Sequence, residues 1–119
     1  MNLSQRVNDL QKYIQNGKIL EAMTEFYAKD CRMQENAGAP CVGLEANIAR
    51  EKQFLAQVKQ WKGYTVKAIG VGDNVTLVES AIDFVNQQNQ AVHMEQVSVQ
   101  HWKDGKIVHE RFYYDSGAK

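Results

Sequence analysis

The sequence is short of the features that mark nucleic-acid-binding and membrane proteins. Its 14 lysine and arginine residues balance 14 aspartate and glutamate residues, and its 119 residues include no basic cluster. The lack of a basic surface argues against binding to nucleic acid or to anionic membranes. No apolar run approaches the ~20 residues of a membrane-spanning helix. The polar N-terminus, MNLSQRVNDLQKYI, has no apolar core of a signal peptide.

Cysteine is scarce as well. Cys31 and Cys41 are the only two, and they form neither a CxxC pair nor a Cys/His zinc spacing. The sequence therefore predicts a cytoplasmic protein with two reduced thiols, with a Cys31–Cys41 disulfide as the alternative. It predicts no metal site and no other cofactor. The length fits one domain that can bury a hydrophobic core without needing disulfide bonds or metal ions for stability.

The first half of the chain predicts three helices. Apolar residues recur on one helical face at Leu3, Val7, Leu10 and Ile14. This helix should end at Gly17, and a second, short helix with Met23 on its buried side should follow. A third helix is predicted from Gly43 to Gly63, where Leu44, Ile48, Leu55 and Val58 keep helical spacing.

The second half predicts four antiparallel strands. Four alternating segments, YTVKAIGV, VTLVESAIDFV, AVHMEQVSVQHW and IVHERFYYD, are separated by turn sequences, of which Asp104-Gly105 is the strongest hairpin signal. A short strand is also predicted around Arg32–Glu35. The fold class is therefore α+β, with three N-terminal helices packed on a strongly curved, mainly antiparallel sheet.

Pairing of the last strands predicts which side chains face the helices. A two-residue turn at Asp104-Gly105 places Glu110 beside Val99 on the face that the helices cover. With a second turn at Gln88-Asn89, that face carries four ionisable groups, His93, Glu95, His101 and Glu110. A three-residue loop with a glycine bulge would instead shift the register by one residue, and these groups would then lie on the opposite face of the sheet.

Ionisable groups on a core face indicate an internal pocket, because a buried carboxylate without partners is costly. Glu110, Glu95 and His101 are candidate catalytic residues on this argument. The candidate pocket walls are apolar or aromatic and would suit a flat apolar ligand: Tyr13, Tyr27, Phe54, Trp61, Val97, Val99, Phe112 and Tyr114.

The opposite face of the sheet is predicted to carry a mixed aromatic patch that a solvent-exposed surface does not need. Such a patch is typical of a partner surface. Its members are Met94, Trp102, Ile107 and Tyr113.

Three segments, EFYAKDCRMQEN, GLEANI and DGKIVHERFYYD, resemble the SnoaL-like branch of the nuclear transport factor 2-like superfamily. The resemblance covers residues 1–119 as a single domain. It implies a ketosteroid-isomerase-like, cystatin-like α+β barrel or cone with a pocket between helices and sheet. It also implies a homodimer formed through the outer sheet face. The family includes isomerases, dehydratases, epoxide hydrolases and polyketide cyclases, so it implies a fold more strongly than a reaction.

Ketosteroid isomerase is the most useful comparison within this superfamily. The resemblance places Glu35 at the position of its general base. The protonated aspartate of that enzyme falls on Val99 and its tyrosine near Leu10, one turn from Tyr13. Neither Val99 nor Leu10 can donate a hydrogen bond, which argues against steroid isomerase activity itself. Glu110, predicted to lie beside Val99, could supply the missing acid.

Two functions follow from these patterns. The first is a cofactor-independent isomerase, dehydratase or cyclase that uses Glu35 and Glu110 on a small apolar, oxygenated molecule. The second is a non-catalytic module for small-molecule binding or dimerisation. Neither function involves nucleic acid or a membrane.

Overall fold

Three helices pack against one six-stranded sheet in the computed structural model, which describes residues 2–116. The elements run in the order α1 (Leu3–Gln15), α2 (Ile19–Phe26), β1 (Tyr27–Glu35), β2 (Cys41–Val42), α3 (Leu44–Ala56), β3 (Val58–Val71), β4 (Val75–Asn86), β5 (Ala91–Lys103) and β6 (Lys106–Tyr114). The strand order is β2-β1-β6-β5-β4-β3. Every pair is antiparallel except β1 with β6.

The α+β class and the mainly antiparallel sheet agree with the sequence prediction, but three details were wrong. The sheet is open, with β2 and β3 at its edges, and is not a closed barrel. The helices are not all N-terminal, since β1 and β2 lie between α2 and α3. The third helix also ends at Ala56, so Val58 and Trp61 belong to β3.

The helices bury the faces that their apolar spacing predicts. The side chain of Asn2 caps α1 by accepting a hydrogen bond from the Gln5 amide at 3.1 Å. Val7 and Leu10 of α1 are fully buried. The core continues through Met23 and Phe26 of α2 and through Cys31, Val78, Trp102 and Ile107 of the sheet. Both cysteine thiols are free, and no helix within residues 2–116 has the length and apolar character needed to cross a membrane.

The β5–β6 hairpin contains an extra residue that the sequence prediction missed. Asp104 and Gly105 form the predicted two-residue turn, with positive φ angles of 51° and 81°. Beyond the turn, Trp102 pairs with Ile107 but His101 pairs with His109. Val108 is therefore a β-bulge, and every later pair on β6 is displaced by one residue.

The β4–β5 connection differs from the prediction in the same way. The Asn86 amide donates to the Gln90 carbonyl at 3.0 Å and closes a three-residue loop, 87–89, in which Asn89 has φ 61°. As a result, Phe84 pairs with Val92, whereas the sequence predicted His93. Because side chains alternate along a strand, a slip of one residue exchanges the two faces of β5 relative to its neighbours.

This slip in register places several side chains on the face of the sheet opposite to the one predicted. The helix-facing residues of β5 are Met94, Gln96, Ser98, Gln100 and Trp102. The inward orientation of Glu110 was predicted correctly, although its partner is Gln100 and the predicted pairing with Val99 was wrong. His93, Glu95, Val97, Val99 and His101 face outward.

The predicted outer patch was therefore largely wrong. Trp102 is 4% exposed and Ile107 is fully buried, because both pack in the core. Met94 contributes to an internal cavity. Only Tyr113 of the four is on the outer face, where 44% of its surface is exposed.

Candidate functional site

A cavity of about 620 Å³ lies between the three helices and the inner face of the sheet. Its walls are mainly apolar, with contributions from Ile14, Leu20, Met33, Phe54, Ile82 and Phe112. One side is polar, because Gln96, Ser98 and Gln100 of β5 lie beside Glu110 of β6. A mostly apolar cavity with a few convergent polar groups is the usual form of a small-molecule site.

Glu110 is the most deeply buried carboxyl group in this cavity, with 2% of its surface exposed. Its Oε1 accepts a hydrogen bond from the Tyr27 hydroxyl. Its Oε2 accepts one from the Gln100 side-chain amide at 2.7 Å. Burial raises the pKa of Glu110 from 4.5 to about 7, although both hydrogen bonds oppose the rise. A carboxyl group with this pKa can give or take a proton near neutral pH.

A directed chain of hydrogen bonds holds Gln100 against Glu110. The indole nitrogen of Trp102 donates to Thr76 Oγ1 at 2.8 Å, and Thr76 donates to Gln100 Oε1 at 2.7 Å. An indole nitrogen can only donate, so the Thr76 hydroxyl must direct its own proton to Gln100. The amide oxygen of Gln100 is thereby occupied, and only its NH₂ group can face Glu110.

Tyr27 completes the contacts of Glu110 from β1. Burial raises the pKa of the Tyr27 hydroxyl, and the neighbouring Glu110 raises it further. Tyr27 therefore remains a hydrogen-bond donor over the physiological pH range. A second tyrosine, the half-buried Tyr64, lines the inner wall and donates to Gln11 Oε1 at 2.5 Å. Burial raises the pKa of Tyr64 to about 12.

Two more carboxyl groups line the cavity at a shallower level. Glu35 is exposed, and its Oε2 lies 2.9 Å from Nη2 of Arg50. Glu51 of α3 is partly buried, which raises its pKa despite the nearby Arg50. Tyr114 lies close to Glu35. Burial raises the pKa of Tyr114, and the charge of Glu35 raises it further.

Aromatic rings form the end of the cavity where α3 meets β3. Trp61 stacks on Phe84, with ring centroids 6.4 Å apart and planes 9° from parallel. Phe54 meets Phe84 edge to face at 5.4 Å. Trp61 remains 39% exposed, so one aromatic surface is accessible to a ligand that enters from solvent.

The structure brings together some of the predicted site residues. Glu35, Glu110, Phe54, Trp61 and Phe112 line one cavity. Tyr27 lies behind Glu110, and Tyr114 lies beside Glu35. Tyr13 instead packs against Phe26 in the helical part of the core, with ring centroids 5.3 Å apart.

Four predicted site residues lie on the outer face, because the register of β5 is displaced. Glu95 is exposed and pairs with Lys67, which lowers the pKa of Glu95. His101 stacks on His109 with ring centroids 5.7 Å apart. Val97 and Val99 share this outer face. The prediction that these four face the pocket was wrong.

Sequence reasoning missed Gln100, Tyr64 and Glu51. Gln100 was assigned to the outer face through the register error. A signal for Glu51 does exist in the sequence, since it lies three residues after Ile48 and four before Leu55. A glutamate inside an apolar helical stripe points to the same side as its apolar neighbours.

The SnoaL-like domain model matches residues 2–114 of the sequence. The chain belongs to the SnoaL-like family. A comparison with curated proteins finds no significant match. Within residues 2–116 of this SnoaL-like protein, no three His, Cys, Asp or Glu side chains are grouped in a way that could hold a metal ion.

Solved structures with the same fold come from several bacteria. A candidate SnoaL-like polyketide cyclase from Mesorhizobium loti is 23% identical, with a TM-score of 0.81 over 96% of this chain and 100% of that one. A nuclear transport factor 2-like protein of unknown function from Burkholderia pseudomallei is 13% identical, with a TM-score of 0.83 over 96% and 91%. An epoxide hydrolase from M. tuberculosis is 18% identical, with a TM-score of 0.72 over 93% and 80%. At these identities the similarity establishes the fold alone.

The buried Glu110 should make the SnoaL-like protein less stable as the pH rises. Folding raises its pKa from 4.5 to about 7, so the folded state holds a proton that the unfolded state releases between these values. This contribution is present in full below pH 4.5 and is lost as the pH rises through about 7. The free energy of unfolding should fall by about 3 kcal/mol across this window. Urea unfolding at a series of pH values measures the change.

The variant Glu110→Gln isolates this effect, because it cannot ionise and nearly preserves the shape of the side chain. Its free energy of unfolding should change less across the same window and exceed that of the wild type above pH ~7. Glu45→Gln is the control, since Glu45 is an exposed glutamate of α3 outside the cavity. Parallel curves for the wild type and Glu110→Gln would contradict the prediction.

Thr76→Val tests the hydrogen-bond chain behind Glu110. The substitution removes the hydroxyl that joins Trp102 to Gln100 and leaves two buried polar groups without partners. It should lower the free energy of unfolding by about 1–3 kcal/mol, measured by urea unfolding. Thr65→Val on the exposed face of β3 is the control and should change stability by less than about 0.5 kcal/mol. Equal effects of the two substitutions would argue against the chain.

Proposed function

We propose that this SnoaL-like protein catalyses proton transfer on a small apolar, oxygenated molecule without a cofactor. The reaction class is isomerisation, dehydration or cyclisation. The observation that supports it best is Glu110, a carboxyl group with a pKa near neutrality in the wall of a 620 Å³ cavity. Catalytic acids and bases need such a pKa, because both protonation states must be accessible at the working pH.

The contacts of Glu110 suit it to repeated proton transfer. Tyr27 and Gln100 each donate to one carboxyl oxygen, and each oxygen keeps further lone-pair capacity. Glu110 can therefore carry a proton toward the cavity or lose it without breaking either contact. Because the Trp102–Thr76–Gln100 chain is directed, its geometry needs little reorganisation when the charge on Glu110 changes.

Glu35 contributes to the cavity entrance in this proposal. Its exposure and its ion pair with Arg50 keep it in a more polar environment than Glu110. The resemblance to ketosteroid isomerase implied a general base here, but an oxygen already held by Arg50 is a weaker acceptor for a carbon-bound proton. The Glu35–Arg50 pair is better suited to binding a polar substituent of the substrate.

The cavity also indicates the shape of the ligand. Phe54, Trp61 and Phe112 present aromatic surfaces, which favour a flat apolar ring system. A cluster of polar groups lies on the side formed by β5 and β6, so we expect a carbonyl or hydroxyl oxygen of the ligand to point to that side. Two of the similar structures are named for enzymes, a candidate polyketide cyclase and an epoxide hydrolase. We also propose a cytoplasmic location, which the sequence predicts from its two cysteines and their spacing.

Exchange of carbon-bound protons tests the proposed activity without knowledge of the natural substrate. The probes are cyclohexanone, β-tetralone and a steroid ketone, dissolved in deuterium oxide. Proton NMR measures the loss of their α-proton signals. The wild type should exchange the α-protons of at least one probe faster than buffer does. Glu110→Gln should slow this exchange on the order of 10²- to 10⁴-fold, whereas Glu45→Gln should not. Unchanged exchange in Glu110→Gln would reject Glu110 as the catalytic group.

A second candidate function is dimerisation, which an apolar strip on the outer sheet face favours. The strip consists of two cross-strand pairs, Leu77 with Val99 and Val97 with Tyr113. Leu77 and Tyr113 are 41% and 44% exposed. We propose a homodimer through this strip, which replaces the patch predicted from sequence. An exposed apolar cluster on a sheet face is typical of subunit contacts.

Leu77→Asp should convert the proposed dimer into a monomer, because two copies of a buried aspartate would face each other across a symmetric contact. Sedimentation equilibrium at micromolar concentration measures the mass. Val42→Asp is the matched control, since Val42 is an exposed valine on the edge strand β2. A wild-type protein that sediments as a monomer would reject the dimer.

A further inference from the structure

Glu51 is placed over the cavity by the geometry of α3. It follows Asn47 and Ile48 by one helical turn, and all three lie on the side of α3 that faces the sheet and the cavity. Asn47 is buried and is held by the backbone carbonyls of Cys41 and Gly43 at 3.0 and 2.8 Å. This contact anchors the start of α3, so Glu51 extends from a well-supported helix.

Within residues 2–116, Glu51 has neither a hydrogen bond nor an ion pair, although it is partly buried. The nearest cation, Arg50, directs its Nη2 to Glu35 at 2.9 Å. The charged and titratable groups that act on Glu51 or share its cavity are Arg50, Glu35, Tyr27, Glu110, Glu21, Lys59 and Tyr64. Partial burial of a carboxyl group without a partner costs free energy, and groups of this kind are concentrated at functional sites.

Glu51 and Glu110 interact electrostatically across the cavity. The charge of Glu51 is one of the causes that raise the pKa of Glu110, and it also raises that of Tyr27. Glu110 is almost fully buried, whereas Glu51 is partly exposed and lies near Arg50. Glu51 should therefore lose its proton first, and its negative charge should help Glu110 to keep its own.

We propose that Glu51 is the second catalytic carboxyl group of the cavity and acts as the base opposite Glu110, which acts as the acid. This inference rests on the proposed proton-transfer function. It replaces Glu35 as the partner of Glu110, because Glu35 is exposed and held by Arg50, whereas Glu51 is more buried and, among the described residues, has no ion pair. The substrate class is a ketone or a related carbonyl compound whose oxygen faces Glu110 and whose α-carbon faces Glu51.

The proton balance of this arrangement closes without any other reactant. Ionised Glu51 removes a proton from the α-carbon, and the C–H electron pair forms a C=C bond. The carbonyl π electrons move to oxygen, which takes the proton of Glu110. In the return step, Glu51 gives a proton to the same carbon or to a conjugated one, and Glu110 recovers the proton from oxygen. The net result is exchange or isomerisation with no oxidation or reduction.

Carboxyl-labelled ¹³C NMR and the exchange assay together test this assignment. The wild type, Glu51→Gln, Glu51→Ala and Glu110→Gln are compared, with Glu45→Gln as a control from the same helix. In Glu51→Gln the pKa of Glu110 should shift downward, because a like charge has been removed. Exchange of the α-protons of β-tetralone should fall on the order of 10²-fold or more. The binding of β-tetralone to Glu51→Gln, measured from chemical-shift changes, should weaken by less than about threefold.

The outcomes separate this inference from the proposed function. Exchange that is lost in Glu110→Gln but retained in folded Glu51→Gln and Glu51→Ala would overturn the role of Glu51 and leave the proposed function intact. An unchanged pKa of Glu110 in Glu51→Gln would also overturn the pairing. Absence of exchange in the wild type with every ketone probe would overturn the proposed function, and the inference with it.

Discussion

The β-bulge at Val108 is the constraint on which the cavity depends. Between Ile107 and His109 the chain gains one residue, so that Ile107 enters the core and Glu110 still points inward. Without the bulge, strict alternation from Ile107 would place Glu110 on the opposite face. The bulge also aligns Glu110 with Gln100, and this pairing supplies one of the two hydrogen bonds that stabilise a carboxyl group in the interior.

Burial of Glu110 depends on groups from three other strands. Tyr27 comes from β1, Gln100 from β5 and Thr76 from β4, and Trp102 of β5 begins the chain of donors. Each group has a partner, so the cost of burying polar atoms is largely offset. The same arrangement leaves Glu110 near its midpoint of ionisation at neutral pH. Stability and reactivity are opposed at this residue, as is typical of functional sites.

The ionisable groups of the cavity favour the proposed proton transfer over a non-catalytic binding module. A binding module needs only shape and a few hydrogen bonds, whereas proton transfer needs carboxyl groups that change charge. Glu110 and Glu51 are placed so that the ionisation of one affects the other. The outer apolar strip around Leu77 and Tyr113 is compatible with either function, because a dimer contact on that face leaves the cavity untouched.

The sequence by itself determined the fold class, the family and most of the element types. Helical spacing in α1, alternation in β4 and the Asp104-Gly105 turn are local patterns, and local patterns follow from backbone geometry and side-chain size. Glu110 was also found from sequence, because a glutamate among aromatic and apolar residues on one strand face is conspicuous.

Only the tertiary structure decided the register of β5 and therefore the composition of the cavity. Alternation along β5 is consistent with either face being buried, since Val97 and Val99 are apolar while Met94 and Trp102 are apolar on the other side. The loop at 87–89 and the bulge at Val108 determine which face of β5 is buried. This register places Trp102 and Ile107 in the core, and their packing outweighs the preference for regular two-residue turns without a bulge. The pairing of Gln100 with Glu110 follows from the register of the β5–β6 hairpin. Tyr27 and Glu51 lie far from Glu110 in the chain, and no local pattern predicts that they approach it.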